Sequence, residues 1–376
     1  MRALLLAGFL GLVFVLVLTP VLIWLFKKVG WGQVIRVDGP NTHLIKRGTP
    51  SMGGIAIVIS AIAGYFLGKA FNSEAPTLSA LLVIFMMVGL GIVGFLDDYL
   101  KVRKQNSAGL PGVFKILGQF VVAVAFALLA ISNADANGLT PASTEVSIFR
   151  DTGFDLMALA PQSWGQVGIW IGTAVFLFWI FLLVTSASNG VNLTDGLDGL
   201  ATGALIMSFG AFAVIGFWKF NQACDLTNIA PNCYETRDPL DLAVIAASIV
   251  GALIGFLWFN TSPAQIFMGD SGSLGLGGAL AALAILSQTE ILLLLVGGLY
   301  AIEAGSVILQ RGVYKLTRLV TGKPRRIILM SPLHHHFEEK GWNEITVVVR
   351  FWIICGLLVL AGIGLFYVEW IYGSVA

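Results

Sequence analysis

Charged side chains are scarce in this sequence. Only 11% of its 376 residues are Asp, Glu, Lys or Arg, whereas roughly a quarter would be expected in a soluble domain. Cysteine and histidine are also rare, with three and four residues, and three cysteines do not suggest a zinc site or a cytosolic redox pair. Hydrophobic residues make up 57% of the chain. This balance excludes an ordinary soluble protein.

Long apolar runs recur from one end of the chain to the other. A run of about 20 residues spans a bilayer core of about 30 Å, and ten such segments are predicted, at 3–26, 52–67, 78–96, 113–131, 167–186, 200–218, 242–259, 274–286, 291–309 and 347–371. The segment 274–286 is short, so with 291–309 it forms either a tight hairpin or one span and a re-entrant piece. We expect an all-α fold, a polytopic membrane helix bundle of about ten transmembrane helices in a single domain, 1–376.

The basic residues are unevenly distributed between the two sides of the predicted bundle. Seventeen of the 22 Lys and Arg residues lie on one side, which the positive-inside rule assigns to the cytoplasm. Both termini then lie on the outer face, as does the loop 219–239. An oxidising compartment there would let Cys224 and Cys233 form a disulfide. Cys355 lies in an apolar run and is expected to be a buried thiol.

Acidic and amide side chains cluster in the predicted cytoplasmic loops. Asp97 and Asp98 follow segment 78–96, and adjacent carboxylates are tolerated if they share a cation, if one is protonated, or if solvent screens them at a helix end. In the loop before segment 200–218, Asn192, Asp195 and Asp198 are spaced three apart, which places them on one face of a helical turn. Helix capping explains one or two of these three residues, so a functional cluster is favoured.

Two further motifs carry polar groups on the same side. Asp270 is flanked by glycine and serine, which leave room for an anion or a metal, although a capped turn explains the pattern equally well. The last loop holds His334, His335 and His336. Three consecutive histidines cannot all be buried core residues and cannot readily ligate one tetrahedral zinc ion, so phosphate or nucleotide contact fits better.

Two other features are less specific. The first loop is basic and turn-rich, and it would suit anionic headgroups as well as a substrate. Glu303 lies within the apolar segment 291–309, where a carboxylate is either functional or held by a structural hydrogen bond.

The carboxylate clusters indicate a reaction class. Carboxylates are the ligands that Mg²⁺ prefers, and Mg²⁺ usually bridges to phosphate oxygens. Phosphoryl transfer needs charge neutralisation and in-line positioning, so it is the preferred reaction. A polar site at one end of a membrane bundle indicates that one substrate is a lipid with a phosphate head and that the other arrives from the cytosol.

Taken together, these motifs resemble those of the polyprenyl-phosphate N-acetylhexosamine-1-phosphate transferases. The resemblance covers nearly the whole chain, with matching stretches at 38–40, 46–54, 95–99, 192–199, 267–272, 331–338, 341–342 and 350–352. The triple histidine and the first-loop motif point to the muramoyl branch of this superfamily. Ser51 stands where that family usually has threonine, which keeps the hydroxyl.

The resemblance implies a reaction and its partners. The donor would be UDP-N-acetylmuramoyl-pentapeptide and the acceptor undecaprenyl phosphate, with release of UMP at the cytoplasmic face of the bacterial inner (plasma) membrane. Membrane lipid is a further expected partner, a homodimer is compatible with the resemblance, and no nucleic acid is expected. The alternatives are a sister enzyme that uses UDP-N-acetylglucosamine and a cation-coupled transporter, which should carry charges near the membrane midplane, where only Glu303 is found.

The resemblance also assigns roles to residues. Asp97 and Asp98 would be catalytic on the acceptor side, and Asp270 would be catalytic and ligate Mg²⁺ at the pyrophosphate. The residues expected to bind substrate are Lys46, Ser51, Lys101, Lys115, Asn192, Asp195, Asp198, Asn260, Phe267, Gly269, His334, His335 and His336. Because a phosphate monoester, with a second pKa of about 6, is largely a dianion at neutral pH, direct attack is favoured over a phospho-enzyme intermediate.

Overall fold

A computed structural model describes residues 1–32, 48–104, 109–160, 162–224 and 232–372. Twelve α-helices and one β-hairpin are found in these residues. The helices are α1 (Arg2–Val29), α2 (Gly54–Phe71), α3 (Leu78–Lys104), α4 (Gly112–Ser132), α5 (Gln166–Thr194), α6 (Leu200–Asn221), α7 (Pro239–Asn260), α8 (Gly269–Leu286), α9 (Leu293–Val296), α10 (Gly298–Thr321), α11 (Leu333–Glu339) and α12 (Glu344–Tyr372). Strands β1 (Glu145–Ser147) and β2 (Asp151–Asp155) form the antiparallel hairpin. The predicted all-α membrane bundle is confirmed.

Nine helices in the described part of the chain are long and apolar enough to cross a membrane. The predicted segment 291–309 differs, because the structure divides it at Gly297 into the short α9 and the start of α10. Helix α10 then continues past the apolar run through Arg311, Lys315 and Arg318 to Gly322, whose positive φ of 71° ends it. Six residues, 287–292, separate α8 from α9, and α10 packs against α5 and α12.

Helix α8 forms the centre of the bundle. Of its 18 residues, 89% are buried inside the protein, and the helix packs against α3, α5 and α2. The helix begins at Gly269, five residues before the predicted apolar segment, so its first turn contains Asp270. A carboxylate in that position is stabilised by the free N–H groups of the helix start.

One end of the bundle, called here the far end, carries the hairpin and a disulfide. Cys224 and Cys233 are bonded, with their Cα atoms 4.8 Å apart, as the sequence predicted, and Cys355 is a buried free thiol. Arg150 connects these parts, because its guanidinium pairs with Glu369 at 2.7 Å and donates to the carbonyl of Cys233 at 2.6 Å. The far end is thus held together by the disulfide and by the contacts of Arg150.

The opposite end, called here the site end, gathers the polar motifs. Helices α3, α5 and α7 finish there and α4, α6, α8 and α12 begin there, which brings their termini into contact. The alternation predicted from the apolar segments therefore places the acidic clusters on one side of the bundle.

Candidate active site

A close approach of two helices creates the centre of the site. At Gly94 of α3, a Cβ atom would overlap the backbone carbonyl of Asp270 in α8. Only glycine allows the two backbones to come so close. Gly94 precedes Asp97 and Asp98 by about one turn, so the carboxylates of α3 are brought against the first turn of α8.

Three carboxylates meet at this point. One oxygen each from Asp97, Asp98 and Asp270 lies within 4.8 Å of the others. Asp97 has no exposed surface and Asp98 is 4% exposed, because α3 extends beyond them to Lys104. The interpretation of this pair as a solvated helix end is therefore wrong.

Two lysines hold the carboxylates together. Lys101 Nζ lies 2.5 Å from an oxygen of Asp97 and 3.1 Å from one of Asp270, while its distance to Asp98 is 3.6 Å. Lys115 Nζ, from the first turn of α4, lies 3.0 Å from Asp97 and 2.6 Å from Asp270. Three carboxylates and two ammonium groups leave one net negative charge.

Hydrogen bonds fix the direction of each acid. The backbone N–H of Ser271 donates to Asp98 at 2.9 Å, and that of Leu110 donates to Asp97 at 2.7 Å. Asn192 donates to Asp270 at 2.9 Å and to Ser273 at 2.8 Å. Since Asn192 belongs to the end of α5, a third helix takes part in the cluster.

The donor atoms of this cluster suit a hard cation. An all-oxygen set of three carboxylates, held closely enough to repel one another, is the chemistry that Mg²⁺ favours. The two lysines neutralise only part of the charge. Asp97, Asp98 and Asp270 are therefore the described residues that would hold the metal.

The loop after α5 contributes a second acidic group. Asp195 is half-buried. Burial raises its pKa to about 7, and the negative charges of Asp270 and Asp98 add to the shift. Asp195 thus lies within electrostatic range of the carboxylate cluster.

Asp198 and Asn260 lie deeper and are bonded to neighbouring loops. Asp198 accepts a hydrogen bond from the backbone of Ala264 at 3.0 Å. Asn260 accepts from Thr202 at 2.6 Å and donates to the carbonyl of Ile266 at 3.0 Å. These contacts hold the loop that leads into α8, so both residues position the site whatever they bind.

The remaining predicted residues from the α7–α8 and α1–α2 loops lie on the edge of the cluster. Phe267 is half-buried, and its backbone pairs with Pro50 and Gly53. Gly269 lies against the side chains of Asp98 and Ser51. Lys46 lies outside the described residues.

The three histidines point in different directions. His334 is fully buried and its ring abuts Gly196, where a Cβ would overlap it. His335 pairs with Glu338 at 2.6 Å. His336 Nδ1 accepts a hydrogen bond from the backbone N–H of Leu329 at 3.0 Å. His334 is thereby brought against the Asp195–Asp198 turn.

Two residues of the site were not predicted from the sequence. Glu344, in the first turn of α12, accepts from the backbone N–H of Asp198 at 3.0 Å, and Ser273 binds Asn192. Glu303 was predicted as functional or structural without a partner, and its partner is His334, at 3.2 Å. The spacing of three between Asp270 and Ser273 is the one signal that would have found Ser273.

Known proteins match this chain over its whole length. The model of glycosyl transferase family 4 matches residues 80–288, and phospho-N-acetylmuramoyl-pentapeptide-transferase signature 1 matches residues 46–58. The chain is 62% identical to a phospho-N-acetylmuramoyl-pentapeptide-transferase of Clavibacter sepedonicus, over 99% of this chain and 100% of that protein. Enzymes of the same name from a Nocardioides species and from Streptomyces avermitilis are 51% and 52% identical, over 99% and 98% of this chain and 100% and 99% of those proteins. The chain therefore belongs to the phospho-N-acetylmuramoyl-pentapeptide-transferase family, a bacterial family of multi-pass membrane glycosyl-1-phosphate transferases.

Proposed function

We propose that this protein transfers phospho-N-acetylmuramoyl-pentapeptide from UDP-N-acetylmuramoyl-pentapeptide to undecaprenyl phosphate and releases UMP. The observation that carries the proposal is the buried cluster of Asp97, Asp98 and Asp270 with Lys101 and Lys115. Such a cluster of acids and lysines suits a pyrophosphate and a metal ion, and the names of the relatives supply the sugar-peptide.

We further propose that the site end faces the cytoplasm of the bacterial inner membrane. Seventeen of the 22 basic residues belong to that side by sequence, as expected for cytoplasmic loops. The far end carries the disulfide between Cys224 and Cys233, which fits an oxidising compartment. A soluble nucleotide donor would then reach the carboxylates from the cytosol.

The chemical step is proposed as a direct displacement. An oxygen of the lipid phosphate forms a bond to the phosphorus that carries the sugar, and the bond from that phosphorus to the bridging oxygen breaks. The electron pair leaves with UMP. The lipid phosphate is largely a dianion at neutral pH and needs no strong base. Asp97 and Asp98 therefore act on it through the cations that they hold, Lys101, Lys115 and the proposed metal, and take up only a residual proton.

The lysines and the metal would neutralise the negative charge of the phosphates in this step. Bound Mg²⁺ would neutralise the pyrophosphate oxygens, held by Asp270 with Asp97 and Asp98. Lys115, which reaches both Asp97 and Asp270, is placed to neutralise charge on the departing phosphate. Asp195 and His334 are assigned to the donor side because they meet at the Asp195–Asp198 turn.

UMP release from purified protein with defined lipid and donor tests the proposal. We expect release to require Mg²⁺, and D97N, D98N and D270N each to reduce it about 100-fold or more, because each removes a charged ligand of the proposed metal ion. D155N, which alters a hairpin carboxylate at the far end, is the matched control and should remain active. Near-full activity of all three site variants would overturn the assignment.

Two further experiments with the same assay test which donor is used and whether the displacement is direct. UDP-N-acetylglucosamine in place of the muramoyl donor tests the sister reaction, and we expect no release with it. Omitting the lipid tests direct displacement. Release of UMP without lipid, or a labelled phospho-aspartate, would contradict that mechanism.

A further inference from the structure

A basic pocket lies beside the site, between α10 and the chain that leads into α11. It encloses about 580 Å³ and is lined by Arg311 and Lys315 of α10, Arg326 and Ser331 of the returning chain, and Glu339 of α11. This volume lies within the range of small-molecule sites. None of the proposed catalytic residues lines it.

The pocket wall is fixed by hydrogen bonds. Gln310, which is 8% exposed, accepts from the backbone of Ile327 at 3.0 Å and donates to the carbonyl of Ile328 at 3.0 Å. His336 accepts from the backbone of Leu329 at 3.0 Å. The returning chain is thereby held against α10 as a defined surface.

The charges of this pocket favour an anion. Within the part of the chain that the structure describes, Arg311, Lys315 and Arg326 form no ion pair. Glu339 is the single carboxylate of the lining, so three cations face one acid. Guanidinium groups bind carboxylates through paired hydrogen bonds, and two of the three cations are arginines.

The pocket faces away from the lipid side of α10. At 3.6 residues per turn, Gln310, Tyr314 and Arg311 share one face of the helix. The exposed apolar residues Leu309, Leu316 and Val320 lie on the opposite face. The basic lining of the pocket and these exposed apolar residues therefore lie on opposite faces of α10.

The distance to the proposed donor site matches a short peptide. His334 at the start of α11 abuts Gly196, and Glu339 at its end lines the pocket. A helix of seven residues is about 10 Å long at 1.5 Å per residue. An extended peptide of five residues reaches about 17 Å, so it can run from the donor's sugar, beside α11, into the pocket.

We infer that this pocket, formed by Arg311, Lys315 and Arg326, binds carboxylates of the donor's peptide. A peptide that is joined to muramic acid through its N-terminus keeps a C-terminal carboxylate, and it has no N-terminal ammonium group to neutralise it. This inference rests on the proposed function, because it takes the muramoyl-pentapeptide donor as the substrate. It assigns the pocket to binding and specificity, not to the phosphoryl transfer itself.

A comparison of two donors tests the pocket. The first is UDP-N-acetylmuramoyl-pentapeptide, and the second is the same molecule with its peptide carboxylates converted to carboxamides. We expect R311Q/R326Q to raise the KM for the first donor roughly tenfold, the size of a lost charge-assisted contact, with kcat within twofold. With the wild type, the KM for the amidated donor should be higher than the KM for the first donor. The double variant should not raise the KM for the amidated donor any further.

The control variant is R325Q, because Arg325 is an exposed neighbouring cation that does not line the pocket. Its KM should match the wild type with both donors. An equal rise of KM for both donors in R311Q/R326Q, or no rise for either, overturns the inference. R311Q/R326Q could instead lose activity only in vesicles that contain phosphatidylglycerol, and equally with both donors. That result would assign the pocket to lipid headgroups and would also overturn the inference. Failure of the wild type to use the muramoyl donor at all would instead refute the proposed function.

Discussion

Glu303 of α10 lies 3.2 Å from Nδ1 of His334 in α11, and neither side chain has any exposed surface. The second oxygen of Glu303 accepts a hydrogen bond from the backbone N–H of Leu333 at 2.8 Å. One carboxylate from α10 therefore fixes the start of the short helix that carries the three histidines. The His334 ring is in turn held against Gly196.

Replacement of Glu303 by alanine should release α11. We expect E303A to lower the free energy of unfolding by about 2 to 4 kcal/mol, because a buried acceptor is lost and its partners stay unpaired. UMP release should fall because His334 no longer faces the Asp195–Asp198 turn. E303Q keeps an oxygen for the Leu333 N–H and should retain more activity than E303A.

Thermal unfolding in detergent and the kcat of UMP release measure these two effects. E145A is the matched control, because the carboxylate of Glu145 also accepts a backbone hydrogen bond, from Gly153 at 2.7 Å, but at the far end. E145A should keep its kcat. If E303A matched the wild type in both kcat and stability, the buried pair would have no role in positioning α11.

The sides of the bundle were predictable from the sequence, because the alternation of apolar segments decides which loops meet. That alternation alone assigns Asp97, Asp98, Asn192 and Asp270 to one end of the bundle. Their mutual distances could not be predicted in the same way. Those distances depend on the close packing of α3 on α8 at Gly94, which is a tertiary contact without a local signal.

The histidines illustrate a different limit. They were predicted as one substrate-contacting group, but consecutive residues of a helix point about 100° apart. His334 accordingly meets Gly196 while His336 meets Leu329. The partner of Glu303 was unpredictable for the same reason, because helix rotation and the fold of the last loop decide it.

Stability should depend on pH through Glu290 at the far end. This residue is 3% exposed, and burial raises its pKa to about 7 from 4.5. The folded state then holds a proton that the unfolded state loses between those values, so stability is greatest at low pH and falls as pH rises from about 4.5 to 7. The largest loss from this shift is about 3 kcal/mol.

E290Q isolates this effect. Trp179 and the backbone of Ser147 both donate to the same oxygen of Glu290, at 3.1 and 3.2 Å, and the amide oxygen of glutamine can accept both bonds. We expect the unfolding temperature of E290Q to exceed that of the wild type at pH 8 and to match it at pH 5. A constant difference between the two proteins across this range would contradict the prediction.

The disulfide should stabilise the far end without affecting the chemistry. It closes a loop with a sequence separation of nine, and loop closure of this size contributes about 2 to 3 kcal/mol. C224S/C233S should therefore unfold at a lower temperature, and its unfolding temperature should no longer depend on reductant. Its kcat should stay within about twofold of the wild type, because the carboxylates lie at the opposite end.

Thiol labelling of the wild type tests the bond itself. Alkylation after unfolding should label one thiol, Cys355, without reductant and three thiols with it. Three reactive thiols without reductant would contradict the bond.

The contact between α3 and α8 makes the sharpest prediction for the active site. In G94A the new methyl group would collide with the backbone carbonyl of Asp270, and neither helix backbone can yield easily because both are buried. Overpacking of this kind costs about 1 to 3 kcal/mol, and relief of the clash must move Asp270 away from Asp97 and Asp98. We therefore expect G94A to need a higher Mg²⁺ concentration for half-maximal UMP release and to have a lower kcat at saturation.

Gly91 provides a matched control less than one turn away on the same helix. A Cβ there would lie 3.4 Å from the carbonyl oxygen of Ser271, which is an ordinary contact. G91A and G94A carry the same loss of glycine in a helix, so their intrinsic helix propensity rises equally. The difference between their Mg²⁺ titrations then reports the spacing of the carboxylates alone. If the two variants gave the same titration, the close approach at Gly94 would not be what brings Asp270 to the acids of α3.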